Sequence, residues 1–544
     1  MRKRSFWVAL AALAAVVTMT ASGATAGSPQ GALTPAAAGG TVILGADQEP
    51  KILNPFLTDG NLYWLSVIVG QVFEGSFELN NKGNYVKEMI TDAKVTNNPF
   101  TVTYTLKSGL TWSDGRAITS RDYVSTYRTI MNKAYDITSR AGYEDIARIQ
   151  TPNARTARVV FKKPYAGWQD MFGALIPAHK VAGQNFNNMW ANSIDISSGP
   201  FKFQRWQKGS QLVLTKNTRY KSGKQSSINQ LVFRFIPDTN TQFQAMRGGE
   251  VDMIAPQPQL QIADIKKQAG IRVQSGPEFA WEHLDIQLGK GGHRALKQPY
   301  VRQALVTGIN RGQIANALYR EIAPGLPVLN NAIFKPFEPS YQAHKWQPFG
   351  FSQKKAISIL RAKGCTGGPA NPSSRNNDIY SCPGVGKLSF TFYSTAGNQL
   401  RELAFQIMQR QLKSVGIELV NRFRTGVFSV LPTGEWDLFL FTWIGSPDPG
   451  GSVEIHKCGG DQNYNGYCNT RASRALVQSQ STVDPAKRAA LLNQADALMS
   501  KDLPTLPLFA RPGFLIHKAS VSGVLKNPTS EGPTWNSEVW TVAR

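Results

Sequence analysis

The chain has 544 residues, 42% of them hydrophobic and 10% aromatic, enough for more than one core and for about two to four domains of ~100–200 residues. It carries 60 Lys and Arg against 36 Asp and Glu, a formal charge of +24 that becomes +21 once Arg2, Lys3 and Arg4 are removed. The basic residues are scattered, the densest pairs being Lys162-Lys163, Lys266-Lys267 and Lys354-Lys355, which excludes the concentrated basic element of a nucleic-acid reader and leaves a solvated basic surface, with weak electrostatic contact to an anionic cell envelope as the sharper alternative.

In chain order, Arg2-Lys3-Arg4 precede an apolar stretch from Phe6 to Met19, and Ala24-Thr25-Ala26 stand before Gly27. The apolar run is shorter than the ~18–20 residues that span a bilayer, so residues 1–26 read as a cleaved secretory signal. The first cysteine is Cys365, so no lipid anchor is encoded at the cleavage point. Residues 27–40 are rich in Gly, Ala, Ser and Pro and read as a flexible spacer. The exported protein is expected to be soluble, periplasmic or at the cell surface.

Thr119-Ser120-Arg121-Asp122 forms a capping-box pattern ahead of a helix carrying Val124, Tyr127 and Ile130. Gly248-Gly249 stop a helix before a short strand at 251–254, and Val301, Ala304, Leu305, Ile309 and Leu318 fit one amphipathic helix. Leu388, Phe390 and Phe392 alternate as a strand; Leu400 to Val415 keep helical spacing apart from the polar Gln411, and Gly416 sits where a left-handed cap is expected. Ile417 and Leu419 resume a strand, with an extension to Phe423 left open. Trp436 to Trp443 is apolar on both faces and predicts a central strand. Asp484-Pro485 open a helix with the stripe Leu491, Leu492, Ala495, Leu498 and Met499. This is α/β construction. Ligands of open α/β sheets gather beyond the carboxyl ends of strands, which points to the loop 444–450.

Four cysteines form two local pairs, Cys365 with Cys382 and Cys458 with Cys468. Two short-range disulfides are the natural reading in an oxidising compartment, although four cysteines allow three pairings. No second pair at zinc-like spacing accompanies His456-Lys457-Cys458, so no metal is expected.

Leu53-Asn54-Pro55-Phe56, Val72-Phe73-Glu74-Gly75 and Tyr104-Thr105-Leu106-Lys107 with Leu110 to Gly115 occur in this order. Ser198 to Phe203, Gly249-Glu250-Val251-Asp252 and Val301 to Leu305 follow, then Trp436-Asp437-Leu438, Asp448-Pro449, and Asp502-Leu503-Pro504 with Leu506-Pro507-Leu508. This series resembles the family 5 extracellular solute-binding proteins of oligopeptide, dipeptide and nickel ABC importers. The resemblance implies an α/β periplasmic-binding-protein type II fold of two hinged lobes plus an inserted third domain. Mapped onto this chain, lobe I is 41–61, 191–276 and 505–544, the inserted domain is 62–190, and lobe II is 277–504. In peptide-binding members an aspartate three residues after the position of Trp443 holds the ligand's amino terminus; here that position is Ser446. Either Asp448 takes over, or the ligand lacks a free α-amine.

Trp443 is the leading ligand-contact candidate, as an aromatic at a strand end with an N–H donor. Ser446, Asp448, Tyr464 (on the loop between Cys458 and Cys468), Trp281, Glu282, His283, Asn54 and Phe56 complete the set, each weighed against a capping, turn or core role. Asp114-Gly115 and Asp252 read as structural. The chain contains no G-x-S-x-G, H-E-x-x-H or phosphate-cradling Gly-Lys loop, and its six histidines are scattered, so neither an enzyme nor a cofactor is expected. The expected function is the substrate-binding component of an ABC importer: a monomer that captures a peptide or peptide-like solute by hinge closure and hands it to a membrane permease. A ligand sensor reporting to a membrane receptor is the alternative, and an exported hydrolase a remoter one.

Overall fold

Two long strands, Ile271–Ile286 and Thr505–Lys518, organise the chain. They pair antiparallel from Ile271 opposite Lys518 to Asp285 opposite Thr505 and form the centre of a ten-stranded sheet. Residues 40–374 and 378–543 are described in this computed structural model, so the expected signal (1–26) and all of the expected spacer except Gly40 lie outside them. Across the sheet the order is Glu418–Asn421, Ser389–Tyr393, Leu438–Trp443, the two long strands, Met253–Ile254, Thr41–Ala46, Gln230–Phe235, Gln211–Lys216 and Phe201–Gln207.

The ladder between the long strands shifts register twice, between Pro277 and Trp281 and again between Glu282 and His283, and the first is the wider break. Gly276 faces Gly513 and Pro277 faces Pro512, and pairing resumes only at Trp281 opposite Ala510. Proline has no N–H to donate, and the unequal residue count on the two strands bends the ribbon there. The sheet therefore divides into two halves joined by this kinked pair. One apolar cluster gathers around Val42, Leu44, Leu231 and Phe233; the other, around Leu284, Leu305, Phe390 and Leu440, also takes in Ile254, Phe514 and Ile516 from across the break.

Leu438 to Phe441 are buried on both faces, as a strand covered on two sides requires. Helix Gln399–Lys413 ends before Gly416, whose φ is 76°. Its buried Gln411 is not an error in the stripe: the amide accepts from Asn310 N at 3.0 Å and donates to Gln313 at 2.7 Å. The strand after it is Glu418–Asn421 and stops short of Phe423. The expected single helix over 301–318 is two, Pro299–Thr307 and Arg311–Tyr319. A Cβ on Gly308 would lie 3.1 Å from Leu412 and 3.2 Å from Val415, so a helix crosses close at the break, and Asn310 caps the second piece.

A separate four-stranded antiparallel sheet runs Ile90–Thr96, Thr101–Leu106, Thr156–Phe161, Ile146–Asn153. Helix Ser120–Met131 follows the expected capping box and buries Tyr123, Thr126 and Ile130, with Val124 and Tyr127 at the margin. Asp484 caps helix Pro485–Asp502, accepting from Lys487 N at 2.9 Å. Both expected disulfides are present, Cys365–Cys382 and Cys458–Cys468. Among the described residues no helix is long and apolar enough to cross a membrane.

Candidate functional site

The end of strand Leu438–Trp443 is built by its register with Ile271–Ile286. Trp281 faces Trp443, Glu282 faces Thr442 and His283 faces Phe441. Residues opposite one another in an antiparallel pair share a face, so Trp281, His283, Phe441 and Trp443 project to one side, Glu282 and Thr442 to the other. On the aromatic side the Trp443 ring lies parallel to Tyr464 (centroids 6.1 Å, 13°) and to His283 (6.3 Å, 8°). A small cluster of Val427, Leu431, Trp436, Phe439 and Phe441 packs behind it. Above this wall opens a cavity of about 420 Å³, lined among others by Trp281, Lys335, Trp443, Ile444, Ser446 and Asp448.

A second cavity of about 160 Å³ shares Ile444 and Gly445 with the first and reaches Asp47, Trp64, Glu278 and Arg511. The two cavities thus flank the chain segment that follows Trp443. Their charges are unevenly satisfied. In the second cavity Arg511 pairs with Glu278 at 3.0 Å, and Lys526 adds a longer contact to Glu278 at 3.7 Å. Asp47 accepts from the Trp64 indole and is in no ion pair among the described residues; burial raises its carboxyl above the ordinary value. In the first cavity Lys335 is buried, donates to Ile333 O at 2.9 Å and sits 5.1 Å above the Trp281 ring. It too lacks an ion pair among the described residues, and burial lowers its ammonium to about 8. Trp443 Nε1 finds no acceptor among them either.

The model of the bacterial extracellular solute-binding proteins, family 5 Middle, matches residues 84–464, well over half of the chain. The chain belongs to this family. This family 5 protein is 27% identical over 499 residues to the oligopeptide-binding protein OppA of Mycobacterium tuberculosis, covering 89% of this chain and 82% of that one. Among solved structures it is similar to the periplasmic EDTA-binding protein EppA (TM-score 0.85, 21% identity, 93% of this chain and 97% of that chain). It is also similar to the oligopeptide-binding protein AppA from Bacillus subtilis in complex with a nonapeptide (TM-score 0.77, 20% identity, 94% and 100% covered). The fold is thus the α/β periplasmic-binding-protein type II arrangement, two hinged lobes with an inserted third domain.

In this family 5 protein the structure gathers Trp281, Trp443, Tyr464, Ser446 and Asp448 at one site and sets the other candidates apart. Asp448 lines the cavity, but both carboxylate oxygens are taken by Arg488, at 2.6 and 2.8 Å, and one also accepts from Gly450 N at 2.6 Å. Both Asp448 oxygens are thus engaged in this structure, and Asp47, lining the adjoining cavity, is a second carboxylate at the site. Ser446 itself is exposed at the rim, its hydroxyl accepting from Asp448 N at 3.2 Å. Glu282 faces away from the rings and pairs with Arg401 at 2.8 Å and with the Thr442 hydroxyl. Burial would raise its carboxyl, but the Arg401 charge and hydrogen bonds outweigh that and hold it below the ordinary value.

His283 is fully buried under Trp443, with Nε2 3.6 Å from Asp285. It supports the wall and does not line the cavities described. Asn54 and Phe56 line neither of the two cavities. The Asn54 amide accepts from Phe56 N at 3.1 Å and donates to Phe186 O and Met189 O, while Phe56 packs on Phe186 at 5.9 Å. Their role is to fasten the chain at 186–189. Sequence reasoning missed Lys335, Asp47 and Arg488, none of which stands in a motif. Among the described residues no group of three His, Cys, Asp or Glu side chains can hold a metal.

Proposed function

We propose that this solute-binding protein captures a zwitterionic, peptide-like solute outside the cytoplasm and delivers it unaltered to the permease of an ABC importer. The observation that carries the reading is the pair of flanking cavities, Lys335 in one and Asp47 in the other, neither in an ion pair among the described residues. A charge held out of water costs several kcal/mol unless it is paired, so an entering ligand with a carboxylate and an ammonium relieves both. Trp281 and Trp443 supply the stacking surface between them. The names of the relatives support the same chemistry: oligopeptides, a nonapeptide and EDTA all carry carboxylates beside nitrogen.

We take the lobes to be 41–61, 191–276 and 505–544 against 277–504, with 62–190 inserted. We place the second crossing nearer Pro512, where the ladder breaks opposite Pro277. Closure about these crossings is favoured by contacts a ligand makes to both lobes at once. The protein acts as a monomer.

Calorimetric titration of Trp443→Ala with a panel of tri- to nonapeptides tests the proposal. Affinity should fall about tenfold for every peptide that binds, the loss expected of a stacked aromatic anchor. Unchanged affinities would remove the ring wall from the site. Mass spectrometry of the bound peptide after prolonged incubation should return it intact; a cleaved product would overturn the binding-only role.

A further inference from the structure

The segment from Lys345 to Lys363 carries a surface that ligand capture does not use. It contains five Lys or Arg and no Asp or Glu, and all five basic side chains (Lys345, Lys354, Lys355, Arg361, Lys363) are exposed. Its first part is a rigid turn. Trp346 is buried and donates its indole N–H to Asp496 at 3.1 Å, and Gln347 donates to Val306 O at 2.6 Å and Ile309 O at 2.7 Å. Gly350 N closes the turn on Gln347 O at 3.0 Å, with Gly350 at φ 63°.

This anchored turn holds Phe349 and Phe351 outward, 45% and 44% exposed. Helix Gln353–Ala362 then buries Ala356, Ile357 and Leu360 and turns Lys354, Lys355 and Arg361 to solvent. Lys355 Nζ lies 5.0 Å over the Phe349 ring, which puts cation and aromatic side by side. Neither cavity described above is lined by any of these residues.

We propose that this surface docks the exported protein on an anionic lipid bilayer, Phe349 and Phe351 entering the interfacial layer and the five cations meeting headgroup phosphates. Exposed aromatics fixed beside clustered, exposed positive charge have the chemistry of an interfacial anchor. An anionic wall polymer complements the charge but offers no apolar phase for two phenyl rings. The contact is reversible and salt-sensitive, and it holds the protein at the membrane where a permease sits.

The test is co-sedimentation of the exported form beginning at Gly27, so that the apolar run at Phe6–Met19 plays no part, with phosphatidylcholine vesicles with and without phosphatidylglycerol. Binding is expected only where phosphatidylglycerol is present and should weaken with added salt. The double variants F349S/F351S and K354E/K355E should each lower the partition by about tenfold or more while leaving ligand affinity unchanged. Equal binding to both vesicles, binding to neither, or partition unaffected in both variants overturns the proposal. Response of the charge variant alone assigns the surface to an anionic polymer and overturns the lipid contact.

Discussion

Trp281, Glu282 and His283 are neighbours in sequence and serve three different ends. Trp281 lines the cavity, His283 lies beneath the rings, and Glu282 points to the opposite face, into a buried pair with Arg401. Breaking one partner of such a pair leaves an uncompensated charge, a loss of about 3 kcal/mol. Glu282→Gln should therefore lower unfolding free energy by that amount in urea titrations while peptide affinity stays within a factor of two or so. A large affinity loss at unchanged stability would instead put Glu282 among the ligand contacts. The sequence could nominate this triplet but could not sort it, because the sorting depends on register against Trp443, which no local pattern contains. Lys335 was illegible for another reason. It is one of 60 basic residues, and only burial beside Trp281 distinguishes it.

At the scale of elements, strands and helices with strong periodicity were legible, and their limits were set by packing partners elsewhere in the chain. The helix broken at Gly308 is an instance: periodicity runs through it, but the close crossing of Leu412 and Val415 does not let it continue. The loop closed by Cys458 and Cys468 shows the converse, a local feature read correctly from cysteine spacing. It carries Tyr464, whose carbonyl accepts from Gln287 at 3.0 Å and whose ring covers Trp443. Opening this short covalent loop should cost about 2–3 kcal/mol of stability. It should also reduce peptide affinity several-fold, since Tyr464 must then be ordered at the moment of binding. The double variant C458S/C468S, measured by denaturation and by calorimetry, checks both. Lost stability with untouched affinity would detach this loop from the site.

In the whole molecule, segments distant in sequence close over one another. Gly83 of the inserted region lies where a Cβ would come within 3.0 Å of Phe279 and 3.3 Å of Pro447, and Ala166 N donates to Gln480 O at 2.8 Å. The C-terminal segment docks on the same region, Asn527 donating to Leu79 O at 2.8 Å and Gln71 to Thr534 O at 3.1 Å. That docking gathers carboxyls. Burial pushes Glu74 up to about 7 and Glu78 to about 8, with further upward pressure from Glu538 on both and from Glu531 on Glu78. Their ordinary value is 4.5, so between there and about 8 the folded chain holds protons that the unfolded chain has lost. This contribution is complete below the unfolded value and is lost as pH rises through the folded one. His456, pushed down to about 4 by burial, acts in the opposite sense only below its ordinary 6.5, and the buried Lys335, at about 8, only above that pH. The interval from pH 6.5 to 8 therefore reports on buried carboxyls, Glu74 and Glu78 together with Asp170 and Glu338, each pushed up to about 7 by burial, and Glu88, which burial also raises. Stability should fall across it, and Glu74 and Glu78 should account for about 2 kcal/mol of that fall. Thermal unfolding should follow, with a lower midpoint at pH 8 than at 6.5, and Glu74→Gln and Glu78→Gln together should make the slope shallower by their share because neither amide titrates. A midpoint that rises over this interval, or a slope unchanged in the double variant, would mean these carboxyls are ionised in the folded protein.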